Sequence, residues 1–222
     1  MSTADVSFDV LSYFTAMSTL ELIAVFASLL YVVLAAKGHI LCWLAAIVST
    51  VLYTVIFYEV YLWMDSVLQV YYLLMAVYGW LCWSKSKLIT RLHDKELRYS
   101  QWPLHQHLLI IIILAVISLM LGWLMAEFTP TDFPYLDSAT TIFAVFATYL
   151  VTQKVLENWL YFIVIDLVSI YLYLAKGLLP TAALFGCYVI LAGYGYWQWR
   201  QQYKQQFRQQ QGDIYLNSSM LR

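Results

Sequence analysis

One carboxylate stands out by where it falls. Asp166 lies near the middle of ENWLYFIVIDLVSIYLYLAKG, Glu157 to Gly177, an otherwise apolar stretch long enough to cross a bilayer. A charge at the centre of a membrane-spanning helix costs about 2.5 to 3.5 kcal/mol, so such a residue is expected to face a protein interior or a wet cavity. On a helix, Asn158 or Trp159, Phe162, Asp166, Ser169 and Tyr173 recur at steps of three and four and share one polar, aromatic face. Leu160, Ile163, Val164, Leu167, Ile170 and Leu174 form the opposite, apolar face. A lone carboxylate among aromatic rings suits a ligand that is cationic, rich in hydroxyls, or both. Aromatic faces attract a desolvated cation by about 2 kcal/mol, and a carboxylate accepts two hydrogen bonds from vicinal hydroxyls.

Other chemistries find no residues to carry them. The chain has no GxxxxGK[ST] phosphate loop, no HExxH and no GxSxG, and no pair of intramembrane acids placed for general acid/base work. His39, His93, His105 and His107 fall in or beside expected loops, and Cys42, Cys82 and Cys187 lie singly within expected spans. Neither a disulfide framework nor a metal site is expected. The reading is of a protein that is not an enzyme, with no cofactor and no nucleic-acid partner.

The elements that must hold this face are membrane spans. Of 222 residues, 63% are hydrophobic, 18% aromatic and 11% charged, more apolar side chain than one soluble core can bury. Seven apolar stretches are bounded by charges, Gly or Pro: Ser18 to Ala36, Ile40 to Tyr58, Met64 to Trp83, Leu108 to Ala126, Tyr135 to Gln153, Asn158 to Ala175 and Pro180 to Trp199. No Lys or Arg precedes Lys37, so the first stretch lacks the basic start of a cleaved signal and is expected to remain. With the N-terminus outside, Lys37, Lys85, Lys87, Arg91, Lys95, Arg98, Lys154, Arg200, Lys204, Arg208 and Arg222 are all cytoplasmic, and Lys176 alone is external.

The chain also matches itself. A shift of 116 residues lays 37–83 over 153–199 without a gap, pairing Trp43 with Trp159, Tyr72 with Tyr188, Ala76 with Ala192, Gly79 with Gly195 and Trp83 with Trp199. The helix before it matches at a shift of 120, Ala24 to Ala27 over Ala144 to Ala147, which leaves the second copy four residues shorter. Spans one to three thus resemble spans five to seven, with span four as the link. An offset of four spans makes the copies parallel, and parallel repeats place a substrate site between their halves near the midplane. Thr50 then stands where Asp166 does, and Tyr53 where Ser169 does. Gln69 and Tyr72 of the third span, and Tyr188 of the seventh, can also point polar atoms inward.

The candidate substrate-binding set is Asn158, Trp159, Phe162, Asp166, Ser169, Gln69, Tyr72, Tyr188, Thr50 and Tyr53. Each has a plainer alternative. Trp43, Trp83, Trp159, Trp197 and Trp199 fall near span ends, where an aromatic belt anchors any membrane protein, and this is the preferred account of Trp197 and Trp199. Thr50 and Ser169 can bond to their own helix backbone, and Asp166 can bond to a neighbouring Tyr or Gln. The domain boundaries expected are an external segment 1–17, a first repeat 18–84, a basic cytoplasmic loop 85–107, a linker helix 108–126, a second repeat 135–199 and a cytoplasmic tail 200–222.

Three segments together resemble the PnuC-type vitamin transporters, and among them the nicotinamide riboside carriers: E-N-W-x-x-x-x-x-x-D-x-x-S-x-x-L-Y from Glu157, Y-G-W-x-x-W from Tyr78, and G-Y-W-x-W from Gly195. The resemblance implies an all-α membrane protein of seven transmembrane helices in a 3+1+3, SWEET-like arrangement, located in a bacterial inner membrane. It implies facilitated uptake of nicotinamide riboside, with a cytoplasmic kinase trapping the compound by phosphorylation. Thiamine, riboflavin and deoxynucleosides are carried by relatives and stay open as substrates, as does a receptor that binds without moving its ligand. A homo-oligomer is compatible with the chain. None of Pro103, Pro130, Pro134 and Pro180 lies in the interior of a span, so movement is expected by rocking of the halves or bending near Gly79 and Gly195.

Overall fold

The computed structural model describes residues 19–59, 63–93, 99–129, 132–177 and 179–220, with side chains described for all of these except 63–65, 85–93, 180, 210 and 212–220. The N-terminal segment, Asp65 and the basic residues from Lys85 to Arg98 therefore lie outside the described side chains. Among the described residues the chain forms seven helices: α1 (Thr19–Ala36), α2 (Cys42–Glu59), α3 (Trp63–His93), α4 (Leu104–Phe128), α5 (Pro134–Thr152), α6 (Asn158–Ala175) and α7 (Leu179–Met220). Six of them, all but α7, are long and apolar enough to cross a membrane. Pro103 precedes α4 in extended backbone and Pro134 starts α5, the positions where a missing N–H and a fixed φ are harmless. Two boundaries differ from the sequence reading. Helix α3 runs on to His93, well into the expected loop, and α7 continues to Met220 through the expected tail. Neither extension meets a proline, and charge does not end a helix that has left the membrane.

The repeat governs the helix ends. Shifted by 116, α2 lands on α6 residue for residue, Trp63 at the start of α3 lands on Leu179 at the start of α7, and Ala36 at the end of α1 lands on Thr152 at the end of α5. The caps match as well. Gly38 N–H bonds to Ala35 O (2.9 Å) and His39 N–H to Leu34 O (2.9 Å), while Lys154 N–H bonds to Val151 O (3.1 Å) and Val155 N–H to Leu150 O (3.0 Å). Both are left-handed helix stops, with φ of 67° at Gly38 and 52° at Lys154. These bonds equate Leu34 with Leu150, so the shift of 116 extends into α1. The apparent shift of 120 there is a slip of one helical turn, which preserves an apolar face and so passes unnoticed in sequence.

Lys154 holds a conformation that suits glycine. A residue with a Cβ pays about 1 to 2 kcal/mol in the left-handed region. The Lys154 ammonium lies 4.7 Å from the Trp83 ring centroid and 5.0 Å from that of Tyr99, cation–π contacts of about 0.5 to 2 kcal/mol. The two effects nearly cancel. Lys154→Gly is therefore expected to melt close to the parent in detergent, whereas Lys154→Ala, which keeps the strain and loses the cation, should melt several degrees lower. Equal melting of the two variants would show that the ammonium contributes nothing.

The helices close into a ring. Helix α1 packs on α2 and α7, α2 on α3, α3 on α5, α5 on α6 and α6 on α7, while α4 packs against α5 from outside the ring. In this order α2 and α6, which carry Thr50 and Asp166, lie on opposite sides. One end of the ring is sealed by four tryptophans. Trp43 meets Trp83 edge-on at 5.3 Å and 84°, and its repeat equivalent Trp159 meets Trp199 at 5.4 Å and 86°. Trp83 and Trp199 then meet across the halves at 6.3 Å. Trp83 Nε1 donates to Thr152 O (3.1 Å) and Trp199 Nε1 to Ala35 O (2.9 Å), so each half hydrogen-bonds to the end of the other's first helix. The aromatic-belt account therefore fails for Trp199, which is 0% exposed, whereas Trp197 is 55% exposed.

Candidate functional site

Helix α6 turns its polar face inward. Asp166 is 6% exposed, and Asn158, Trp159 and Ser169 are buried with it, whereas Leu160, Val164, Leu167 and Leu174 are exposed on the other side. The geometry follows from the spacing, because a helix carrying Asp166 and Ser169 on one side has only apolar residues to offer the hydrocarbon. Asp166 occupies the middle of α6, and among the described residues no hydrogen-bond donor meets its carboxylate. Tyr188 stands on α7. Tyr188 is half-buried and reaches Ser28 of α1, Oη to Oγ 3.0 Å, across the junction of the two halves. Phe185 stands edge-on to Tyr188 at 5.8 Å and stacks on Tyr173 at 5.2 Å, extending an aromatic wall from α7 back to α6.

The first half builds a less polar version of the same place. Thr50 is buried, but its hydroxyl donates to Ala46 O (2.8 Å) within α2, the self-satisfied role open to it from sequence. Tyr53 stacks on Phe57 at 5.5 Å. Gln69 and Tyr72 are half-buried on α3, with Tyr72 edge-on to Tyr71 at 5.6 Å. Tyr71, which the sequence reading passed over, donates its hydroxyl to Val145 O of α5 (3.1 Å) and ties the halves on this side. Ser28 was also missed. A lone serine in an apolar span gives no sequence signal, and its partner lies 160 residues away.

Asn158, Trp159 and Phe162 sit at a lower level. Trp159 precedes Asp166 by seven residues, about 10 Å along a helix, and belongs to the tryptophan seal, wedged against Gly195. Asn158 is fully buried and donates to Val155 O (2.6 Å), with its Oδ1 left without a partner among the described residues. Phe162 packs on this layer from the side of Asp166. The structure thus buries Asp166 and Ser169 on the inner face of α6, carries Thr50, Tyr53, Gln69 and Tyr72 on α2 and α3, and packs Trp159 into the tryptophan layer beside Asn158.

A second polar cluster lies outside the ring's interior. His107, expected beside a loop, is instead buried in the first turn of α4. Its Nδ1 is 3.0 Å from Tyr161 Oη, and its Nε2 is 3.8 Å from Glu157 Oε2. Trp102 N–H donates to the same Glu157 oxygen at 3.4 Å. These contacts fasten the linker helix to the start of α6. No group of three or more His, Cys, Asp or Glu side chains is placed to hold a metal ion among the described residues.

Known proteins share this architecture. Residues 18–201 match a family model described as nicotinamide mononucleotide transporter. The chain is 26% identical over 185 residues to the nicotinamide riboside transporter PnuC of Escherichia coli (strain K12), an alignment covering 72% of this chain and 76% of the relative. The protein of the same name from Shigella flexneri matches to the same extent. The crystal structure of the vitamin B3 transporter PnuC superposes with a TM-score of 0.70, covering 89% of this chain and 87% of its own at 22% identity, a likeness of fold.

Proposed function

We propose that this chain, which belongs to the nicotinamide mononucleotide transporter family, carries nicotinamide riboside across the membrane by alternating access. It is a multi-pass membrane protein and a carrier, not an enzyme. The observation that supports this substrate best is the Asp166 carboxylate, buried midway along the inner face of α6 and met by no donor among the described residues. A riboside supplies what is missing, vicinal hydroxyls for the carboxylate and a pyridinium for the aromatic walls. A mononucleotide fits less well. No Lys or Arg lies between Thr19 and Ala36, Cys42 and Ser84, Leu104 and Phe128, Pro134 and Thr152, Asn158 and Ala175, or Thr181 and Trp199, so a phosphate would meet Asp166 and no cation.

In this reading Asp166, Ser169 and Gln69 take the ribose hydroxyls. Tyr188, Tyr72 and Phe162 flank the ring, Thr50 and Tyr53 shape the opposite wall, and Asn158 and Trp159 form the floor. The 3+1+3, SWEET-like arrangement of two parallel triplets, 18–84 and 135–199, is supported by the matching helix ends and by the position of α4 outside the ring. An external N-terminus and an inner-membrane location are supported by the placement of basic residues. With no phosphate loop to drive pumping, uptake would be made directional by phosphorylation of the incoming riboside by a cytoplasmic kinase.

The test is titration of tryptophan fluorescence in the purified protein with nicotinamide riboside, thiamine, riboflavin and deoxynucleosides, followed by uptake into proteoliposomes. Saturable quenching by the riboside alone, with accumulation above empty vesicles, is expected. Binding without accumulation would make the protein a receptor, and preference for another compound would reassign the substrate.

A further inference from the structure

Gly38 and Lys154 are one position of the repeat, yet one copy has no side chain and the other a long one. The reason lies in a strap that belongs to neither copy. Residues 99–102, just before α4, run beside the turn from α5 to α6. Ser100 N–H donates to Lys154 O (3.1 Å) and Leu156 N–H to Ser100 O (2.9 Å), a parallel bridge between Ser100 and Val155. Tyr99 N–H donates to Gln206 Oε1 of α7 (3.1 Å), and the Tyr99 ring stands edge-on to Trp199 at 5.1 Å and 5.0 Å from the Lys154 ammonium. Each of these contacts fixes the strap to the second half. The Tyr99 side chain crosses to the first. Its hydroxyl fills the space where a Cβ on Gly38 would stand, in the turn from α1 to α2, so a side chain there would collide with it. Tyr99 is 7% exposed, enclosed between the two equivalent turns.

We propose that Tyr99 is the latch of a gate: positioned by the strap on the second half and seated over Gly38 of the first, it holds the tryptophan end of the ring shut. Two halves that rock about a central site open at one end as they close at the other. Contacts that join the halves at one end therefore bias which end is open. The tryptophans make the seal, and their indole bonds to Thr152 O and Ala35 O run in matched pairs across the halves. Tyr99 breaks that symmetry, a single residue serving both turns, and the end opens when it leaves Gly38. Gln206 and the backbone of Ser100 act through it, as positioning groups. The inference rests on the alternating-access reading above and adds to it the residue that biases the two states.

The experiment reads both ends of the ring at once. Cys42 is 0% exposed in the tryptophan layer, and Tyr173 lies about 21 Å along α6 from Trp159, toward the other end. Purified full-length protein with Cys82→Ala and Cys187→Ala is reacted in detergent with a charged maleimide, reading Cys42 in one version and Tyr173→Cys with Cys42→Ala in the other. Tyr99→Phe, Gln206→Ala and Ser100→Pro are placed in each; the last removes the N–H that bonds to Lys154 O. Gln206→Ala and Ser100→Pro should label Cys42 about tenfold faster, the weight of one lost hydrogen bond, and Tyr173→Cys more slowly. Tyr99→Phe, which loses only the hydroxyl over Gly38, should move both rates the same way by less. If Ser100→Pro does not fold, the other two variants decide. Unchanged labelling of Cys42 would overturn the latch. So would faster labelling at both ends, which is general loosening, or at Cys42 alone, which is a local hole. Uptake of nicotinamide riboside by the parent is measured beside this; its absence would remove the functional reading, whereas the reciprocal labelling needs no substrate and decides the latch by itself.

Discussion

Alanine in place of Gly195 is expected to lower the melting temperature in detergent by several degrees, and a larger residue there should leave no folded protein to measure. A Cβ built on Gly195 would overlap the indole of Trp159, as one on Gly79 would overlap Trp43. Trp159 has nowhere to go, being 3% exposed and held edge-on by Trp199. Forcing one extra carbon into a closed core costs about 1 to 3 kcal/mol, and in a chain of this size each kcal/mol is worth about 2 to 4 °C. The repeat makes Gly79→Ala an internal control with the same expected loss. Shortening the ring in a Gly195→Ala, Trp159→Leu double variant should recover part of it. If Gly195→Ala melted like the parent, the wedge between α6 and α7 would be misplaced, and with it the seal at that end of the ring.

The second large effect concerns Asp166 and has two opposite signs. An ionised carboxylate buried without a donor destabilises the empty protein, so Asp166→Asn should melt at or above the parent. The same change removes charge-assisted hydrogen bonds to the ligand, worth about 1.5 to 3 kcal/mol. Affinity for nicotinamide riboside is therefore expected to fall about 10- to 100-fold. Melting curves with and without ligand read both signs in one experiment. A variant that melts lower yet binds normally would mark Asp166 as a structural group. Ser169→Ala, which changes no charge, should show a smaller loss on the same assay.

Much of this molecule is legible in one dimension. Membrane spans are set by local composition, because hydrocarbon forces every backbone group into a helix whatever lies elsewhere. The repeat at 116 was visible in its tryptophans and glycines, and it carried α2 onto α6 to the residue. The inward turn of Asp166 also followed from spacing alone, since a charge in a span has one affordable direction. Where reading stopped, the reasons are physical. Apolar faces repeat every turn, so the register of α1 against α5 could slip by four residues until the caps at Gly38 and Lys154 decided it. Tryptophan near a span end serves equally as anchor or core, and only packing against Trp83, Tyr99 and Trp159 separated buried Trp199 from exposed Trp197.

By itself, then, the sequence determined six of the spans, the match of α2 with α6 and the acid at the centre of α6, because each depends on residues within one helix or on self-similarity along the chain. The tertiary structure alone decided that Ser28 meets Tyr188, that four tryptophans close one end, and that His107 ties the linker to α6. Those contacts join residues far apart in the chain, and a hydrogen bond between distant helices is specified by the direction of each helix face, which no local pattern records.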